Sequence, residues 1–183
     1  MKTMTMMKTR MLYFLLAALA VGFSACSDDD DEPNNPVSEQ DKNFALNATY
    51  SNLAEIQMGQ LAVSEATDES VRNFAEMMVT DHTNAQNQLA NLAESLDIDL
   101  PDTLKTEHQA IQAQLMALEG AAFDSAYISS QVVAHQQAQQ IFQTQIDQGL
   151  NPQLKDYAAN TLTHIRMHLE RAMELKEELL PSN

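Results

Sequence analysis

From Ser38 to Leu179, apolar and small residues return every three or four positions, and this period admits α-helices and little else. Phe44, Ala48, Ser51, Glu55, Met58 and Ala62 share one face, with Leu53, Ile56 and Leu61 beside it, predicting a helix over 39–66. Thr67 and Asp68 supply an N-cap, after which Val71, Phe74, Met78, His82, Ala85, Leu89, Leu92 and Leu96 form a second stripe. Pro101, Asp102 and Thr103 open a shorter amphipathic piece carrying Leu104, Ile111, Leu115 and Leu118, expected to end at Gly120. Phe123, Tyr127, Ile128, Gln131, His135, Ala138, Phe142 and Ile146 then mark a long helix that Gly149 stops. Asn151 caps the last helix, with Pro152 at its first position and Leu154, Ala158, Thr161, Ile165, His168, Ala172, Leu175 and Leu179 on one side. With only 4 Gly and 5 Pro in 183 residues, many short strands joined by tight turns are excluded. The expected architecture is all-α: a four-helix bundle over 39–181 with an extra short crossover helix.

Charge and cysteine usage narrow the chemistry. Ten basic residues stand against 26 acidic ones, a formal net charge of -16, which phosphate backbones repel. Nucleic-acid binding is therefore excluded as a function. One cysteine can form neither an intramolecular disulfide, nor a CxxC redox pair, nor a cysteine-based zinc site.

That cysteine lies in an address. Lys2, Lys8 and Arg10 precede the uncharged apolar run Met11 to Phe23, followed by Ser24, Ala25 and Cys26. As a helix the run reaches about 20 Å, short of the roughly 30 Å hydrocarbon core of a bilayer, so a secretory signal over 1–25 is predicted rather than a membrane span. Phe23-Ser24-Ala25-Cys26 resembles a bacterial lipobox, which implies cleavage before Cys26 and a lipid anchor on it, with the membrane as partner. Asp28 to Glu32 and the prolines at 33 and 36 predict an extended acidic tether over 26–38. The tether is similar to the export signal of surface lipoproteins in the Bacteroidota. It implies an outer-membrane lipoprotein displayed at the cell surface, or otherwise facing the periplasm.

Polar residues interrupt the apolar stripes at matching depths. Glu55 and His82 lie about 11 and about 14 residues from the first hairpin turn, or roughly 16 to 21 Å along their helices. His135 lies about 13 residues before the second turn, and His164 and His168 about 13 and about 17 after it. A single core imidazole needs no more than a hydrogen-bond partner, but three on separate helices at one level, facing a carboxylate, suit a shared divalent metal. A buried polar network without metal is the other reading of the same positions. His164, one turn before His168, is a candidate further ligand or a residue that orients one. Asp81 is expected to orient a neighbour, His108 to be structural, and Met78, Met116 and Met173 to fill the core.

The segments 54–62 (AEIQMGQLA), 71–82 (VRNFAEMMVTDH), 120–142 (GAAFDSAYISSQVVAHQQAQQIF) and 154–169 (LKDYAANTLTHIRMHL) carry a family resemblance. They are similar to the bacterial envelope family catalogued as domain of unknown function 4142. The resemblance implies a ferritin-like bundle, with Glu55, His82, His135 and His168 as the characteristic polar positions; it implies no established activity. Ala134 departs from the acidic residue frequent there, and His164 is atypical. Ferritin-like di-iron sites use Glu-x-x-His, whereas Val79, Val132 and Ile165 stand three residues before the histidines. A nitrogen-rich mononuclear site for zinc, copper, nickel or ferrous iron fits better.

Two functions are consistent with the sequence. One is a lipid-anchored envelope protein that binds a divalent transition metal. The alternative is a non-catalytic envelope interaction or structural module whose buried polar network sets helix register. Enzyme activity ranks third, because the chain has no Gly-rich phosphate loop, no HExxH and no nucleophile–base signature.

Overall fold

The structure, a computed structural model, describes residues 36–179; the predicted signal, Cys26 and all but the end of the tether lie outside them. The described residues form five helices and no strand: α1 (Glu39–Glu65), α2 (Glu69–Ser95), α3 (Thr106–Leu115), α4 (Gly120–Gln148) and α5 (Pro152–Glu178).

Local chemistry sets the boundaries. Ser38 Oγ accepts from the Asp41 N–H, and the Asp41 carboxylate reaches back to the Ser38 N–H, so a capping box starts α1. Asp68 caps α2 by accepting from the N–H groups of Ser70 and Val71, and Asn151 caps α5 by accepting from Leu154. Thr67 belongs to the turn and not to the cap. The short helix differs from expectation at both ends. It begins at Thr106, with Lys105 before it making no side-chain cap, and ends at Leu115. Gly120 opens α4, where its φ of 58° is a left-handed conformation that glycine reaches without a Cβ clash.

The helices pack as two antiparallel hairpins, α1 with α2 and α4 with α5; α1 also lies against α4 and α2 against α5. Asp124, near the start of α4, accepts from Thr67 in the α1–α2 turn, and Gln145, near the end of α4, donates to Asp41 at the start of α1. Thus α4 runs antiparallel to α1, and the chain must climb the length of the bundle between α2 and α4. The segment containing α3 makes that climb along α1: Lys105 Nζ donates to Asn47, and further up Gln112 approaches Gln57. One long crossover between two hairpins is the ferritin-like arrangement. Within the first hairpin α1 and α2 approach closely at Gly59, where a Cβ would stand 2.9 Å from Val79 Cγ2.

The core is divided. One apolar cluster centres on Met58, Val71, Phe74, Met78, Phe123, Tyr127 and Ile128; the other on Phe44, Leu89, Phe142, Leu154, Tyr157, Leu162 and Ile165. Between them lie Asn52, Glu55, His82, Gln131, His135 and His168, each at most 5% exposed. The polar level thus lies between two apolar clusters, whose burial favours the packed bundle.

Candidate metal centre

Each of three helices brings one imidazole to the middle level: His82 from α2, His135 from α4 and His168 from α5. Their ring centroids form a nearly equilateral triangle of 5.7, 5.5 and 5.4 Å. On each ring one nitrogen is engaged by an oxygen outside the triangle. His82 Nδ1 lies 3.0 Å from Asn52 Oδ1, His135 Nδ1 lies 2.9 Å from the Gln131 carbonyl, and His168 Nε2 lies 2.9 Å from Asp81 Oδ2. Since a carbonyl or carboxylate oxygen can only accept, these contacts place the proton on the engaged nitrogen and leave the lone pair on the other. The nitrogens left over, His82 Nε2, His135 Nε2 and His168 Nδ1, are buried and without a protein partner.

One ligand atom from each of the three lies within 4.8 Å of the others. The centre of a triangle of that side is about 2.8 Å from its corners, so inward shifts of at most about 0.7 Å would reach the 2.0–2.1 Å of a zinc–imidazole bond. The residues therefore fit a single transition-metal ion: three imidazole donors within reach of one point, each oriented by an outer oxygen.

Electrostatics keep His82 and His168 neutral. Burial, reinforced by repulsion from His135, His168 and His164, holds His82 well below the ordinary histidine range. Burial likewise lowers His168 to about 4, against the opposing pull of its hydrogen bond to Asp81. Both are uncharged near neutral pH, the form a metal requires.

Glu55 is buried on α1, but the three-histidine set forms without it. Burial raises its pKa despite the lowering effect of His135 and the Gln131 side chain, and its Oε2 has no protein partner. Glu55 is close enough to His135 for their charges to interact. It also lines a cleft between α1, α3 and α4 together with His108. His164 is exposed on α5 and joins Asp81 and His168 in a second group whose ligand atoms lie within 4.8 Å of one another. Asp81 has the orienting place expected of it. Asn52, which aligns His82, was not singled out from the sequence, although Ala48, Asn52, Glu55 and Gly59 continue the helical spacing. A polar residue on the buried face one turn before Glu55 was the available signal.

Comparison with known proteins sets this geometry in context. The bundle is similar to the crystal structure of a DUF305 fragment from Deinococcus radiodurans, with a TM-score of 0.71 and 13% identity over 78% of this chain and 99% of that one. It is also similar to the DUF305 protein from Streptomyces coelicolor, with a TM-score of 0.66 and 13% identity over 76% of this chain and 93% of that one. At such identities the likeness establishes the fold. No curated protein matches the sequence. A family model described as a domain of unknown function, DUF4142, matches residues 27–175, and the chain belongs to that family.

Proposed function

We propose that the bundle is a metal-binding module of the cell envelope whose three-histidine centre takes up one divalent transition-metal ion of the zinc, copper, nickel or iron class. The observation that carries this reading is the pattern of satisfaction: three imidazoles each bonded on the outer nitrogen and each unpartnered on the inner one. A network built only for helix register would be expected to pair its buried nitrogens with one another or with other protein groups, because an unpaired buried acceptor costs about 1–3 kcal/mol. When bound, the ion would act as a Lewis acid and leave any further coordination to water or to a small ligand. His82, His135 and His168 hold it; Asn52, the Gln131 carbonyl and Asp81 fix the tautomers.

Elemental analysis of tag-free protein tests the reading. One equivalent of metal per chain is expected, and His135→Ala should lose it. Metal at about 1,000 times its Kd should raise the stability of the unaltered protein by about 4 kcal/mol and that of the variant by nearly nothing. If His135→Ala leaves both metal content and melting temperature unchanged, the interaction-module reading takes its place.

The reading includes a lipid anchor on Cys26, with the acidic tether presenting the bundle at the outer surface. Supporting it are the basic, apolar and small-residue order before Cys26 and a family match that begins at residue 27. The Streptomyces coelicolor structural neighbour is itself provisionally described as secreted. Mass spectrometry of membrane-derived protein should find residues 1–25 removed and Cys26 acylated; an intact Met1 or a free Cys26 counts against it.

A further inference from the structure

The centre is enclosed by four helices, so an ion needs a way in. We infer that Asp81, His164 and His168 form a second, solvent-open cation site in the α2–α5 cleft, and that this site is the loading port of the buried centre. The inference rests on the metal reading above and adds a site and a route.

Three observations converge on it. Asp81, His164 and His168 each offer a ligand atom within 4.8 Å of the other two. Asp81 Oδ2 is 2.9 Å from His168 Nε2 and 4.0 Å from His164 Nδ1. Their side chains are graded in exposure, 61% for His164, 29% for Asp81 and 2% for His168, so the group runs from solvent to core. Finally, the three line an open cleft of about 310 Å³ that also reaches His82, so two of the three core imidazoles face it.

His168 is the shared element. Its Nε2 faces Asp81 in the cleft, and its Nδ1 is the nitrogen left for the centre. A neutral imidazole has one lone pair. With an ion in the cleft, the lone pair is on Nε2 and the proton on Nδ1; with the ion in the centre, the lone pair is on Nδ1 and the proton returns to Nε2 against Asp81. Moving the ion inward therefore releases the Nδ1 proton and returns one to Nε2 through cleft water and the Asp81 carboxylate. His168 stays neutral and no proton is gained or lost overall. The two positions exclude each other, so the port empties as the centre fills. For the ion to move inward the port must bind it more weakly than the centre, while the net charge of -16 draws cations toward the surface.

Cobalt(II) is the probe, because its visible absorption reports the donor set. The chelator-stripped protein should take up Co2+ with a rate that saturates as its concentration rises. His164→Ala, an exposed change, should remove the saturation and slow loading at least tenfold. Unloading to a chelator should slow by a similar factor, leaving the affinity of the centre within twofold. In a His135→Ala background weak Co2+ binding should persist, and adding His164→Ala should abolish it. Loading of His164→Ala at the unaltered rate, or absence of the weak site in His135→Ala, overturns the port while the centre stands. A large loss of equilibrium affinity in His164→Ala overturns it too, because His164 would then belong to the centre itself. If the unaltered protein takes up no Co2+, or if His135→Ala is indistinguishable from it, the metal reading fails and the port with it.

Discussion

The two helical hairpins are alike at their ends and unlike in their middles. Adding 83 to a residue number in α1 or α2 gives its counterpart in α4 or α5, and the end contacts repeat under that shift. Asp41 accepts from the backbone N–H groups of Leu150 and Asn151, where Asn151 caps α5. Its counterpart Asp124 accepts from those of Thr67 and Asp68, where Asp68 caps α2. The aromatic contacts repeat as well: Phe44 meets Tyr157 at 6.1 Å and 61°, and the counterparts Tyr127 and Phe74 meet at 6.3 Å and 64°. At the middle level the correspondence breaks. His82 pairs with Ile165, His135 with Asn52, His168 with Ala85 and Glu55 with Ala138. Each hairpin thus offers an apolar, small or differently polar residue where the other offers a titratable one. The contacts at the ends thus occur twice, while the residues of the centre occur once, which predicts that the histidines can be replaced without loss of the fold.

Acid should expose this division most strongly. In chelator-treated protein, His168 titrates at about 4 when folded, against about 6.5 when unfolded. Between those values the unfolded chain binds a proton that the folded chain refuses, so stability falls as pH falls through that window. The loss from His168 alone is about 3 kcal/mol by pH 4, and His82 contributes in the same direction. His168→Ala, which copies its counterpart Ala85, should flatten the curve of urea-unfolding free energy between pH 6.5 and 4. The ends respond in another window. For Asp41, burial would raise the pKa, but its hydrogen bonds with Ser38, Gln145 and Asn151 prevail and lower it below 3.8. Its contribution is present above that value and is lost as pH falls further. An unchanged slope in His168→Ala would mean that the middle and ends titrate as one unit and would break the comparison.

The same division governs how legible the molecule was in its sequence. Long apolar stripes with Asp68, Asn151 and Pro152 at their boundaries declared α1, α2, α5 and the end of α4 within a residue or two, because capping and periodicity are local. The short helix was misplaced because Gly120 serves the start of α4, and a glycine in isolation does not say which neighbour uses its left-handed φ. Helical depth placed His82, His135 and His168 on one level, since 1.5 Å per residue is a ruler that survives changes of topology. Depth could not show that the three histidines form a set without Glu55 or that His164 lies near Asp81 across the cleft. Those facts depend on rotation about the helix axes and on which helices are neighbours. The aspartate ties were missed for the same reason, since Asp41 and its partners Leu150 and Asn151 are more than a hundred residues apart.

Those ties give a smaller effect that tests the comparison from the side of the fold. Asp41 is fully buried and serves the Ser38 N–H and hydroxyl, the Gln145 amide and the N–H groups of Leu150 and Asn151. Asp124 serves fewer donors, the N–H and hydroxyl of Thr67 and the N–H of Asp68; Thr67 is exposed, as is its counterpart Leu150, but Asp41 also serves Gln145 and Asn151, which are fully buried. Removing a carboxylate costs most where the donors it leaves behind cannot reach water. Asp41→Ala should therefore cost about 3 kcal/mol in urea unfolding, and Asp124→Ala about 2. Water can replace part of what either carboxylate supplied at the exposed Thr67 and Leu150, but not at the buried Gln145 and Asn151. Both variants should bind Co2+ at the centre within a few-fold of the unaltered protein wherever they are folded, since neither aspartate touches a histidine. Equal costs would show that the two ends are equivalent in burial as well as in pattern. A folded Asp124→Ala that no longer binds Co2+ would show that the turn holds the imidazoles in place, and the separation of frame from centre would fail.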